Sequence, residues 1–142
     1  MSIVVGYDES PGADHALDVA ITMALRFEVP LILVYGAAPP GGTSGEEFRA
    51  HLTALEEIGR HAVDHAVERA AARGVATELE VVRAKPADAL VEVAERRNAI
   101  MIVVGSYGES PIRGALLGST PHRLLHLATC PVLVVPAERT TA

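Results

Sequence analysis

The sequence predicts an α/β fold built on a single doubly wound, five-stranded parallel sheet with helices on both faces, and three observations carry that reading. Short apolar runs recur at residues 2–7, 31–36, 100–104 and 132–135, with a polar–apolar alternation at 77–83. Between them lie segments whose apolar residues repeat at helical spacing. Gly and Pro gather at the junctions rather than inside the elements. Strand and helix alternate throughout, and right-handed crossovers then give a parallel sheet.

Each element has its own justification. Residues 2–7 are an apolar first strand, and Asp8-Glu9-Ser10-Pro11 turns it into a helix reaching Phe27, with Ala16, Leu17, Ala20, Ile21, Ala24 and Leu25 on one face. Pro30 precedes a second buried strand at 31–36. Residues 37–45 hold strong breakers and no periodicity, and are expected to form a mobile loop. The pattern Phe48, Leu52, Leu55, Ala62, Ala66, Ala70 describes one long helix over 46–73, stopped by Gly74 at C′. Residues 77–83 alternate as a half-exposed edge strand whose charges discourage further pairing. A third helix covers 86–97 with Leu90, Val91 and Ala94 inward, a fourth covers 121–128, and the last strand is 132–135.

For such a sheet the common order 3-2-1-4-5 places the reversal between strands 1 and 4, and ligands bind there at the carboxyl ends. Those ends carry Asp8 and Gly105.

Composition narrows the function. A chain of 142 residues fits one domain, 1–142, burying roughly 70 % of its unfolded surface, with 137–142 expected as a disordered tail. A formal charge of −6 argues against binding nucleic acid or an anionic membrane. No basic leader precedes the first strand, and no apolar run approaches the ~20 residues that span a bilayer, so a cytoplasmic location is expected. Cys130 cannot form an intrachain disulfide and reads as a small buried hydrophobe. The only Lys is Lys85, which excludes the Gly-Lys-[Ser/Thr] of a P-loop. The dinucleotide fingerprint Gly-x-Gly-x-x-Gly is also missing.

The stretch richest in chemistry begins where Ile100-Met101-Ile102-Val103-Val104 stops at Gly105. Gly105-Ser106-Tyr107-Gly108 is followed, after nine residues, by Gly118-Ser119-Thr120-Pro121, where Ser or Thr can cap a helix and Pro suits its first turn. A helix N-terminus offers bare N–H groups and a positive dipole end, and glycine admits a phosphate where a Cβ would block it. Chance produces this glycine spacing in about one chain in a hundred of this length. The chemistry indicated is phosphate binding by backbone and hydroxyl donors, without a general base.

Val103-Val104-Gly105-Ser106-Tyr107-Gly108, Leu116-Leu117-Gly118-Ser119 and Cys130-Pro131-Val132-Leu133-Val134-Val135 together resemble the C-terminal signature of the universal stress protein family. Ile3-Val4-Val5-Gly6-Tyr7-Asp8-Glu9-Ser10, Ala16-Leu17 and Lys85-Pro86-Ala87 agree with its earlier segments. The resemblance implies a Rossmann-like fold of the adenine nucleotide α-hydrolase-like type. It also implies the ATP-binding subgroup, which this glycine spacing marks, with ATP as ligand, with or without Mg2+. Asp8 then belongs at the adenine and ribose end. The residues expected to bind the nucleotide are Tyr7, Asp8, Gly36, Val104, Gly105, Gly108, Gly118, Ser119 and Thr120. Two departures stand out: Pro121 where the family often has a second hydroxyl, and Ala13 where a second Ser usually follows the first strand.

Other candidates have plainer alternatives. Asp8 could simply cap the first helix, and Tyr35 could be ordinary core or border the adenine. Arg113 could pair with a phosphate while Glu109 would oppose one unless a metal lay between them. His61 and His65 are four apart, but no third metal ligand accompanies them; His122 and His126 repeat the spacing, and His122 could approach a phosphate from the first turn of its helix or lie on a solvated helix face.

The final strand Val132–Val135 would lie at a sheet edge without a protecting charge, which predicts a two-fold homodimer through it. The family resemblance implies the same. The function expected is a nucleotide-dependent stress-response sensor or regulator acting on a protein partner. A slow ATPase or phosphotransferase and a dimeric scaffold with an empty crevice are the alternatives.

Overall fold

The computed structural model describes residues 1–7, 11–36, 46–106 and 117–136. Its elements are β1 (Ser2–Gly6), α1 (Pro11–Phe27), β2 (Leu31–Gly36), α2 (Glu46–Ala72), β3 (Thr77–Val82), α3 (Pro86–Arg96), β4 (Ala99–Gly105), α4 (Ser119–Leu127) and β5 (Val132–Val135). The strands form one sheet in the order β3-β2-β1-β4-β5, and every neighbouring pair is parallel. The predicted α/β architecture and strand order are thus observed. The segments 37–45 and 137–142, expected to be a loop and a tail, lie outside the described residues, as do Asp8, Gly108, Glu109 and Arg113.

Strands buried on both faces read as continuous apolar runs, and here they feed two separate cores. Alternation in the pleat sends Ile3, Val5, Leu31, Leu33 and Val103 toward α1 and α2, where they meet Leu17, Ile21, Val63 and Ala66. The intervening Val4, Ile32, Val34, Ile102 and Val104 face the other way and pack with Leu90, Val93 and Leu124 of α3 and α4. The central strands are therefore sealed, and only the sheet edges and strand ends remain for other uses.

Helical faces follow the apolar spacing with local drift. Ala16, Leu17, Ala20, Ile21 and Ala24 are buried as expected, but Leu25 is 40 % exposed, because the stripe turns away from the sheet in the last turn of α1. In α3, Ala87, Ala89, Leu90, Val93 and Ala94 are the buried set and Val91 is only half-buried. On α2, Val63 joins Ala66 and Ala70 in the core.

Gly74 ends α2 as predicted. Its φ of 80° is left-handed, its amide bonds to the Ala71 carbonyl, and the Val75 amide bonds to the Ala70 carbonyl, each at 3.0 Å. That pairing is the Schellman motif. Helix α4 starts earlier than predicted, at Ser119 rather than Pro121, and Gly118 is its N-cap with φ −68° and ψ 171°. The cap makes no side-chain hydrogen bond, since glycine has none to offer.

Candidate functional site: the crevice at the carboxyl ends of β1 and β4

The strand order reverses between β1 and β4, and the helices that follow these two strands, α1 and α4, pack on opposite faces of the sheet, the arrangement at whose carboxyl strand ends open α/β sheets bind ligands. Of the predicted residues, the described ones, Tyr7, Gly36, Val104, Gly105, Gly118, Ser119 and Thr120, lie at or beside the carboxyl ends of the strands. Tyr7 continues β1 by one rung, its amide donating to the Val34 carbonyl at 3.2 Å. Gly36 ends β2, and Val104 and Gly105 end β4.

The segment that leaves β4 returns to the same place. The Ser106 amide donates to the Val135 carbonyl at 2.9 Å, which ties the exit from β4 to the end of β5. The Gly118 amide donates to the Ser106 carbonyl at 2.7 Å, so the start of α4 is fastened to the end of β4. The first ladder bond of α4 runs from the His122 amide to the Gly118 carbonyl at 3.2 Å. Of the amides that open the helix, Gly118 is thus used and Pro121 has none. Ser119 and Thr120 keep amides without an acceptor among the described residues, beside the carboxyl end of β4. This arrangement can hold an anion by backbone donors and the helix dipole.

Side-chain placement divides the predicted residues. Ser119 is exposed, and Thr120 and Gly118 are half-buried. Tyr7 is 3 % exposed and its ring lies in the core on the α1 side. Val104 is buried in the core on the α3 side, so only its backbone faces the strand end. Gly105 and Gly36 prove to be packing positions as well. A Cβ on Gly105 would lie 2.9 Å from the backbone of Gly12, at the start of α1, and one on Gly36 would lie 2.8 Å from the Pro86 Cα, at the start of α3. Backbone cannot yield as a side-chain tip would, so these glycines let two helix N-termini close onto the strand ends.

The profile of the universal stress protein family matches residues 1–136. The chain belongs to this family. It is 36 % identical over 138 residues to universal stress protein MJ0531 of Methanocaldococcus jannaschii, covering 94 % of this chain and 80 % of that one. It is 34 % identical over 145 residues to universal stress protein Rv2623 of Mycobacterium tuberculosis, covering 97 % of this chain but spanning only 48 % of that longer relative.

Solved structures agree on the architecture. Hypothetical protein MJ0577 superposes with a TM-score of 0.86 at 24 % identity, covering 98 % of this chain and 97 % of that one, and it speaks for the fold alone. A universal stress protein in complex with cyclic AMP superposes at 0.75 with 31 % identity, covering 97 % and 98 % of the two chains. The universal stress protein of Archaeoglobus fulgidus in complex with dAMP superposes at 0.70 with 26 % identity, covering 94 % and 96 %.

In this universal stress protein the contacts that close the crevice's strand ends carried no sequence signal, although Pro86 belongs to a segment that resembles the family. Gly12 and Pro86 are paired with Gly105 and Gly36 only by the fold. His15 Nδ1 lies 2.8 Å from the Pro136 carbonyl, joining α1 to the end of β5. His61 and His65 are exposed on α2, and the rings of His122 and His126 meet edge to face at 5.4 Å. Among the described residues no group of His, Cys, Asp or Glu could hold a metal. Cys130 is half-buried against the α3-side core, and burial pushes its thiol pKa up, which disfavours the reactive thiolate. Tyr35 packs its ring over Gly59 of α2. No helix of the described residues is long and apolar enough to cross a membrane.

Proposed function

We propose that this protein binds ATP in the crevice between β1 and β4 and acts in the cytoplasm as a nucleotide-dependent sensor or regulator. The observation that carries the reading is the fastening of Gly118 to Ser106, which leaves the Ser119 and Thr120 amides at the carboxyl end of β4. Relatives of the same fold with cyclic AMP and dAMP bound support an adenine nucleotide as the ligand. In this reading the phosphates lie against Gly105, Gly108, Gly118, Ser119 and Thr120. Tyr7, Asp8, Gly36 and Val104 border the adenosine, with their backbone where the side chain is buried. Mg2+ is an optional companion of the phosphates.

Titration calorimetry with ATP, ADP, AMP and cyclic AMP, with and without Mg2+, followed by product analysis, tests the proposal. Saturable ATP binding without turnover is the expected result. Turnover would make the protein an enzyme, and absence of binding by every nucleotide would reject the reading.

The regulator is further proposed to work as a homodimer through β5. That strand is a sheet edge with half-buried Val132, Leu133 and Val134, and Leu125 and Leu127 of the adjacent α4 are 60 % and 38 % exposed. An apolar edge without charge invites a second copy. Val134→Lys should convert the dimer to a monomer in sedimentation velocity; a wild-type monomer, or a Val134→Lys dimer, would reject the assignment.

A further inference from the structure

The seam between α1 and α2 holds polar contacts that nucleotide binding, as described above, does not use. Asp14, Asp18 and Thr22 follow one another on α1 at the spacing that places side chains on one helix face, and Arg69 and Arg73 do the same on α2. Arg69 Nη1 donates to Asp14 Oδ1 at 3.1 Å, and Arg69 Nη2 pairs with Asp18. Arg73 Nη2 donates to Thr22 Oγ1 at 3.2 Å. At the crevice end the seam meets β1, because the Tyr7 hydroxyl donates to the same Asp14 Oδ1 at 2.8 Å.

One carboxylate oxygen therefore connects the carboxyl end of β1 to the middle of the chain on α2. We propose that Arg69 is a positioning residue for the nucleotide crevice. Through Asp14 it fixes the Tyr7 phenol, and with it the backbone at the end of β1. The inference rests on the nucleotide reading given above.

Three features support it. Tyr7 is 3 % exposed, so its hydroxyl needs a protein partner, and an Asp14 fixed in one rotamer supplies it. The Asp14 side chain is 40 % exposed and would turn toward water without a cation to hold it, whereas the planar Arg69 fork spans Asp14 and Asp18 together. Finally, Tyr7 stands one residue beyond the end of β1, where its amide donates to the Val34 carbonyl at 3.2 Å, so fixing the phenol fixes the very end of the strand. Ion pairs this open to solvent add little to folding stability. Their effect is orientation.

The test uses the full chain, with ATP as the probe, in the wild type, Tyr7→Phe, Arg69→Met, the double variant and Arg69→Lys. Each of the first two substitutions should weaken ATP binding about threefold to tenfold. The double variant should be no weaker than the worse single one, because both act on one oxygen. Arg69→Lys should recover part of the affinity, and melting temperatures should stay within about 4 °C. Wild-type affinity in Arg69→Met, or additive losses in the double variant, would overturn the inference while leaving nucleotide binding intact.

A second measurement keeps it testable even if the wild type binds no nucleotide. Amide hydrogen exchange at Tyr7 in the unliganded protein should quicken at least about threefold in Arg69→Met. Unchanged exchange there would also overturn it.

Discussion

The two ends of the sheet are built differently. At the amino ends of the strands the helices turn back within a few residues through left-handed positions: Glu28 at φ 55°, Gly74 at φ 80° and Asn98 at φ 50°. Two of these turns are the same motif. The Val29 amide bonds to the Ala24 carbonyl and the Glu28 amide to the Leu25 carbonyl, repeating around Glu28 the pattern that Gly74 forms after α2. At the carboxyl ends helix N-termini instead press against glycine at Gly36 and Gly105. One end stores the fold in short, sterically defined turns. The other packs helix N-termini closely onto the strand ends, beside the switch point between β1 and β4 where such folds hold their ligands.

That contrast makes substitutions at the two ends separable, and the largest effect is expected where packing and binding coincide. Gly105→Val forces branched carbons into the Gly12 backbone at the start of α1. It should cost about 1–3 kcal/mol in denaturant unfolding and abolish ATP binding. Retained affinity would separate Gly105 from the ligand.

Gly118→Val comes next. Its backbone is extended, a conformation any residue adopts, and a side chain placed there crowds the approach to the Ser119 and Thr120 amides. ATP affinity should fall at least about tenfold in calorimetry, while stability changes by less than about 1 kcal/mol. A large stability loss with unchanged affinity would invert the contrast between the two ends.

The smallest effects belong to the amino end, and there a matched pair sharpens the comparison. Gly74→Ala meets nothing within 4 Å, so only its left-handed backbone opposes it, and the expected loss is about 1 kcal/mol. Glu28→Gly relieves the same conformation at the end of α1 and should gain up to about 1 kcal/mol. Neither should alter nucleotide affinity, which thermal unfolding and calorimetry on the same samples can check.

The two ends also differ in how far the sequence reveals them. Apolar runs such as Leu31-Ile32-Leu33-Val34 announce buried strands because both faces of the sheet are covered, and Gly74 announces its turn because glycine suits a left-handed φ. Glu28 occupies the same position without any such signal. The cradle glycines are visible as a spacing, but Gly105 meets Gly12 and Gly36 meets Pro86 across the fold, which local periodicity cannot register. The start of α4 is misjudged for a related reason. Ser119 and Thr120 are good caps by residue type, yet the cap is Gly118, whose amide is taken by the Ser106 carbonyl. Asp14 and Arg69, read alone, are ordinary helix-surface charges; only the packing of α1 on α2 brings them to Tyr7.

The most direct measurement of the central claim is amide hydrogen exchange with and without saturating ATP, residue by residue. Added protection is expected at Gly36, Gly105, Gly118, Ser119 and Thr120, with none at Glu28, Gly74 or Asn98. ATP that binds yet protects the amino-end turns, or leaves Ser119 and Thr120 unchanged, would contradict the assignment of the crevice between β1 and β4 as the nucleotide site.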